Sequence, residues 1–240
     1  MTTRTSARAA AQCLAGVATL AAASYGAYVG FSWASYGHAT RARNLDEQDT
    51  LLDRFMPLYD VVERHHIAVD APAGVTSAAA REVDLMQSRL ARAIFKGREL
   101  AMGAPRIAPP PAGLVPAVLS LGWRVLADVP DREIVIGGYT RPWEAKVVFR
   151  SLPPDAFASF ADPGYVKIAW TLRADPVAGG GSVFRTETRA MATDVDARAR
   201  FRIYWALVSP GIEVIRRSSL APIKREAERR ARSAAISVAV

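Results

Sequence analysis

The chain has 240 residues, one cysteine and a formal net charge of +8 at pH 7. A single cysteine excludes an intrachain disulfide framework and a Cys-based zinc site. The basic excess suits an anionic surface, and its concentration in a C-terminal helix of a chain with an apolar opening favours a membrane over nucleic acid.

Residues Ala9 to Gly37 hold no Asp, Glu, Lys or Arg, which is long enough to cross a bilayer, where a helix needs about 20 apolar residues. The first half is Ala-rich, and the second carries Tyr25, Tyr28, Phe31, Trp33 and Tyr36, residues that favour the membrane–water interface. A retained single-pass helix is the expected reading, because the run outlasts a signal-peptide core of about 7–15 residues. A cleaved secretory signal, with Arg4 and Arg8 as its basic head and Ala21-Ala22-Ala23 as its cleavage site, is the alternative. A buried core helix is the third. Cys13 follows Gln12 and does not read as a lipid-attachment site. With basic residues on both sides (Arg4 and Arg8 against Arg41 and Arg43), orientation is nearly balanced; the short basic head places the N-terminus in the cytoplasm and the domain outside it.

The expected organisation is therefore a basic head (1–8), a transmembrane anchor (9–37), a polar connector (38–60), one folded domain (61–232) and a tail (233–240). About 200 residues beyond the anchor suffice for one domain with a real core. Residues 61–70 are β-rich, and Ala71-Pro72 ends the strand. Two helical segments are expected between Ala73 and Ala101, the second with Leu85, Leu90, Ile94 and Phe95 against a basic outer face of Arg89, Arg92 and Lys96. Five prolines between Ala104 and Pro116 make an irregular loop.

Strands are expected at 123–130, 132–140, 145–152, 165–176 and 182–194. In the last pair the period is two. Val166, Ile168, Trp170 and Leu172 share one face, and Arg185, Glu187 and Arg189 alternate with Phe184, Thr186, Thr188 and Ala190. Hairpin-type connections, among them Gly179-Gly180-Gly181, indicate an antiparallel sheet. A long helix follows, with Thr193 or Asp194 as its N-cap. Phe201, Tyr204, Trp205, Val208, Ile212, Ile215, Leu220 and Ile223 give it a wide apolar stripe, and Pro210 and Pro222 are expected to kink or break it. Arg216, Arg217, Lys224, Arg225, Arg229, Arg230 and Arg232 read as a solvated basic face or as an attachment to anionic lipid.

The segments HHIAVDAPAGVTSAAAREV and YVKIAWTLRADPVAGGGSVFRTETRAMATD, with the helix that follows, resemble the START-like, polyketide cyclase/dehydrase (SRPBCC) superfamily, and the chain looks most like its membrane-anchored bacterial members. The resemblance covers residues 61–232. It implies an α+β helix-grip fold, a curved antiparallel sheet wrapped around the long C-terminal helix with a cavity between them, here preceded by a transmembrane helix. Superfamily members bind lipids, polyketides, plant hormones or partner proteins.

The residues then point to a ligand cavity more than to a reaction. Adjacent His65 and His66 must point to opposite faces of their strand, and Glu63 shares the face of His65. Trp143, in the Arg141-Pro142-Trp143-Glu144 connection, is placed to close a cavity mouth or simply to pack a turn. Trp170 and Trp205 lie on apolar faces. Glu187 between Arg185 and Arg189 is a paired polar site if that face is buried and a solvated sheet face if it is not. His65, Trp143, Trp170, Glu187 and Trp205 are the cavity candidates. Phosphate-loop and nucleophile-elbow patterns are missing from the sequence, and no catalytic residue, metal ligand or cofactor is assigned. The expected function is binding of a hydrophobic or amphipathic small molecule, such as a lipid, at a membrane. A cyclase/dehydratase using a strand His or Glu as general base and a non-catalytic interaction protein with a filled core are the alternatives. No nucleic-acid partner is expected, and nothing fixes an oligomeric state.

Overall fold

The structure, a computed structural model, describes residues 2–40, 42, 44–84, 96, 103 and 111–238. The second helical segment expected after Ala73 lies almost wholly outside these residues. So do the Cys13 side chain and much of the proline-rich loop.

The chain begins with helix α1 (Thr2–Ser35). A 3-10 turn (Leu45–Glu47) and the single-turn helix α2 (Thr50–Asp53) lead into strand β1 (Val61–Val69). Helices α3 (Ala73–Glu82) and α4 (Leu114–Ser120) precede strands β2 (Arg124–Val129) and β3 (Glu133–Thr140). The short helix α5 (Pro154–Phe157), strands β4 (Val166–Pro176) and β5 (Ser182–Ala192), and helix α6 (Val195–Val238) complete the chain. This is an α+β architecture with one five-stranded antiparallel sheet, ordered β1-β5-β4-β3-β2, and a long terminal helix lying on one of its faces.

Strands β2 to β5 form a meander that returns to pair with β1. The β4–β5 turn uses Gly179 and Gly180 at φ +88° and +86°, a region glycine enters without the Cβ clash. In β3, a Cβ on Gly137 would lie 2.4 Å from Leu126 Cδ1 and 2.8 Å from the Phe157 ring, so close approach explains this glycine. No strand forms at 145–152; Arg150 alone bridges to Tyr139. Strand β2 reaches only as far as Gly137 along β3. The remaining edge of β3 takes the Arg150 bridge and a Thr140 hydroxyl bond to Val148 O (2.9 Å).

Helix α6 starts at Asp194, whose Oδ1 accepts the Ala197 N–H at 2.9 Å while Oδ2 accepts that of Gly164. These bonds hold its pKa below the ordinary carboxylate range. Thr193 instead bonds Tyr165, both N–H and carbonyl. The helix runs unbroken through Pro210 and Pro222, contrary to expectation. Each proline removes a backbone hydrogen bond, but neighbouring residues pin both turns: Ser209 is buried against Ser32 of α1, and Ile223 is buried in the sheet core.

The expected transmembrane anchor is corrected by α1. Among the described residues, no helix is long and apolar enough to cross a membrane. The uncharged run is dominated by Ala, Gly and Ser and is therefore only weakly apolar. Its aromatic half spends its polar groups on the domain. Tyr25 donates to Leu207 O at 2.7 Å, Tyr28 to Glu213 Oε2 at 2.7 Å, and Tyr36 packs on Phe201 edge-to-face. The connector also belongs to the fold, since Leu52, Phe55 and Met56 are buried with Leu126, Val135, Phe157 and Ala169 on the sheet face away from α6.

Candidate functional site between the sheet and the terminal helix

The period-two pattern divides the sheet cleanly. Toward α6 point Val61, Glu63, His65, Ile67 and Val69 of β1. They stand beside Ala190, Thr188, Thr186, Phe184 and Ser182 of β5, and Val166, Ile168, Trp170 and Leu172 of β4 follow. Both ends of this face are closed cores. One holds Val69, Ile134, Ile136, Trp170, Leu172 and Phe184 against Ile223 and Ala227; the other holds Tyr36, Val61, Val166, Ala190 and Phe201.

Between those cores the packing loosens. Glu63, His65, Ile67, Ile168 and Thr188 are only partly buried although the helix lies over them, and no residue of α6 from Pro210 to Pro222 is buried. Side chains between two layers stay partly accessible where the layers do not close fully over them. In that zone three buried atoms have no hydrogen-bond partner among the described residues: Glu63 Oε2, His65 Nε2 and Thr188 Oγ1. Glu63 and Thr188 are directly opposite across the β1–β5 pair. Glu63 Oε2 lies 3.6 Å from His65 Nε2, which is ion-pair range but too long for a hydrogen bond.

From the helix, Arg216 completes the group. Partial burial lowers its pKa by desolvating the guanidinium, and the Glu63 carboxylate opposes that shift. No described residue hydrogen-bonds its guanidinium. At the α1 side, Tyr28 is pushed up to about 12 by burial and by its bond to Glu213. Unpaired buried polar atoms each cost about 1–3 kcal/mol, so a cluster of them marks a place where a ligand or water can supply the missing partners.

Of the cavity candidates, His65, Trp170 and Trp205 lie on this side of the sheet. His65 borders the loosened zone. Trp170 is buried in the first core, edge-to-face with Trp123 at 6.3 Å, and Trp205 packs on Phe201 at 5.9 Å. The two tryptophans therefore wall the zone at opposite ends. Trp143 packs against the second core from its loop and lines a small surface pocket with Asp194, Asp196 and Arg200. Glu187 departs from expectation: it points to the opposite face, as does His66, which is exposed beside Arg185.

That opposite face is buried too, because the connector covers it. Glu187 accepts from Arg64 (2.9 and 3.0 Å) and from Arg189 Nε (2.7 Å), and Arg189 reaches Asp53 and Met56 O. Arg173 ties down the covering segment through Asp46 O and Gln48 O and joins Arg185 on Asp175. Lys167, its pKa lowered by burial, donates to Phe157 O and Ala158 O. A polar pocket of about 300 Å³ remains here, lined among others by Thr40, Glu47, Asp49, His66, Arg185 and Glu187. Its charged groups are already paired with one another, which makes it a structural network more than a recognition site.

Glu63 and Arg216 were not among the candidates. The sequence carried a signal for Arg216: it falls four residues after Ile212 and four before Leu220, on the apolar stripe. Among the described residues no three His, Cys, Asp or Glu gather in a metal-binding arrangement.

No protein-family model matches the sequence, nor does any curated protein. Among solved structures, the chain is similar to the di-domain ARO/CYC BexL from the BE-7585A biosynthetic pathway (20% identity, 70% of this chain and 46% of that one, TM-score 0.29). It is similar also to a Chromobacterium violaceum protein (12%, 67% and 98%, 0.26) and to CalU16 from Micromonospora echinospora (14%, 72% and 85%, 0.24). The chain spans about half the length of the first of these. Likeness of this degree carries nothing about ligand or reaction.

Proposed function

We propose that the chain binds a hydrophobic or amphipathic small molecule between its sheet and α6. The observation that carries this reading is the loosened zone between two apolar cores, where Glu63 Oε2, His65 Nε2 and Thr188 Oγ1 have no hydrogen-bond partner among the described residues. Pockets for small molecules combine apolar walls with a few convergent polar groups. Here Ile67, Ile168 and Trp170 offer the walls. Arg216 and Thr188 can donate, Glu63 accepts, and His65 does either, so the ligand's polar end sits at the middle of β1.

A second reading draws on the same residues. His65 Nε2, without a hydrogen-bond partner among the described residues, would take a proton from a bound substrate as a general base, and the Glu63 carboxylate beside that nitrogen would stabilise the imidazolium that forms. It is the lesser reading, since the pair stands 3.6 Å apart, too far for a hydrogen bond.

Titration of the full chain with anilinonaphthalene sulfonate tests the binding reading. A saturable fluorescence rise that Thr188→Trp abolishes is expected, because the indole fills the zone; Glu63→Gln should change affinity severalfold with little loss of stability. A rise that does not saturate, or that Thr188→Trp leaves intact, contradicts it.

A further inference from the structure

The outer surface of the α1–α6 pair is exposed and apolar. On α6, Ile203, Leu207 and Val214 are 52%, 50% and 42% exposed, and their spacing of four and seven places them on one side of the helix. On α1, Tyr25 and Trp33 are 48% and 42% exposed. The two helices share this surface: the Tyr25 hydroxyl donates to Leu207 O, and Arg202 donates to Trp33 O at 2.9 and 3.0 Å with its guanidinium 4.4 Å over the indole ring. Val17 and Leu20, 67% and 69% exposed, continue apolar surface along α1.

Charge frames the patch. Arg200, exposed, is three residues before Ile203 on the same side, and Arg217 is 68% exposed while holding Glu213 at 2.6 Å. Asp196, at the start of α6, and Glu213, which pairs with Arg217, are acidic residues near the edge. Aliphatic side chains between two aromatic rings with polar edges, bordered by arginines whose stems are themselves apolar, are suited to the boundary between lipid headgroups and acyl chains.

We infer that this two-helix surface docks on an anionic lipid bilayer, with α1 and α6 lying in the plane of the interface. Two features select this occupant. The chain's net charge of +8 complements anionic headgroups, and α1 is too weakly apolar to leave the interface and cross the membrane. In-plane docking gives the uncharged run a role that spanning does not: its polar tyrosine hydroxyls stay bonded to α6 while its rings meet lipid.

Cosedimentation of the full chain with vesicles of phosphatidylcholine, with and without phosphatidylglycerol, tests this. Binding should require phosphatidylglycerol and weaken as salt rises. The double variant Ile203→Asp, Leu207→Asp should bind about tenfold or more weakly with its thermal unfolding unchanged, because both side chains are exposed. Arg200→Glu should weaken binding with no change in folding. No binding to anionic vesicles, equal binding by the double variant, retention that resists alkaline carbonate extraction, or self-association lost in the double variant without vesicle binding would each overturn the inference. None of these outcomes bears on ligand binding between sheet and helix, which Thr188→Trp probes separately.

Discussion

The carboxyl pair beneath the connector gives the sharpest prediction. Glu133, 5% exposed, shares its site with Asp49, 3% exposed, and its Oε1 has no hydrogen-bond partner among the described residues. Burial first, then the Asp49 carboxylate, raises its pKa to about 8; Arg173 and Arg132 only partly offset this. Asp49 cannot move away freely, since its Oδ1 caps α2 by accepting the Leu52 N–H at 2.7 Å. The folded chain thus keeps a proton on Glu133 that the unfolded chain releases near pH 4.5. Stability from this group is fully present below that pH and is lost as pH rises toward 8. A shift of this size corresponds to about 3 kcal/mol of stability lost between pH 5 and pH 8. Glu133→Gln keeps the shape and the neutral form at every pH. Urea unfolding followed by tryptophan fluorescence at both pH values should show the wild type losing about 3 kcal/mol more than the variant. Equal pH dependence in the two proteins would refute the shared-proton account.

Two further substitutions separate the layers of the fold. Leu52→Ala, at a fully buried connector residue, should cost about 2–5 kcal/mol in chemical unfolding; a cost below ~1 kcal/mol would show that the connector does not belong to the core. Glu187→Gln leaves Arg64 and Arg189 without their shared carboxylate and should destabilise by about 3–5 kcal/mol, while leaving probe binding by the still-folded fraction unchanged, because Glu187 is on the far side of the sheet from the proposed ligand.

The sheet was legible because its pattern is local. Alternation in β4 and β5 fixed which residues share a face, and adjacency alone separated His65 from His66. The apolar stripe of α6 was legible for the same reason, although its unbroken run through Pro210 and Pro222 was not. What escaped depends on partners distant in sequence. The connector read as polar, and only tertiary packing of Leu52, Phe55 and Met56 onto Phe157 and Leu126 makes it core. Whether Glu187 and its arginines form a buried paired site or a solvated face stayed open, because the sequence does not show that the connector folds over them. Residues 145–152 have strand composition, but β3 offers too little free edge to pair with them. The uncharged run gave the most misleading signal. Lack of charge suggested a membrane span, whereas weak hydropathy and tyrosine hydroxyls bonded to α6 make it a docked helix.

Native mass spectrometry of the full chain tests the central claim most directly, using gentle ionisation after incubation with a panel of amphipathic carboxylic acids, sterols and aromatic polyols. One bound molecule per chain is predicted, retained by wild type and lost in Thr188→Trp, with affinity altered in Glu63→Gln. Bare chain mass throughout, or equal adducts on Thr188→Trp, would contradict a ligand site between the sheet and α6.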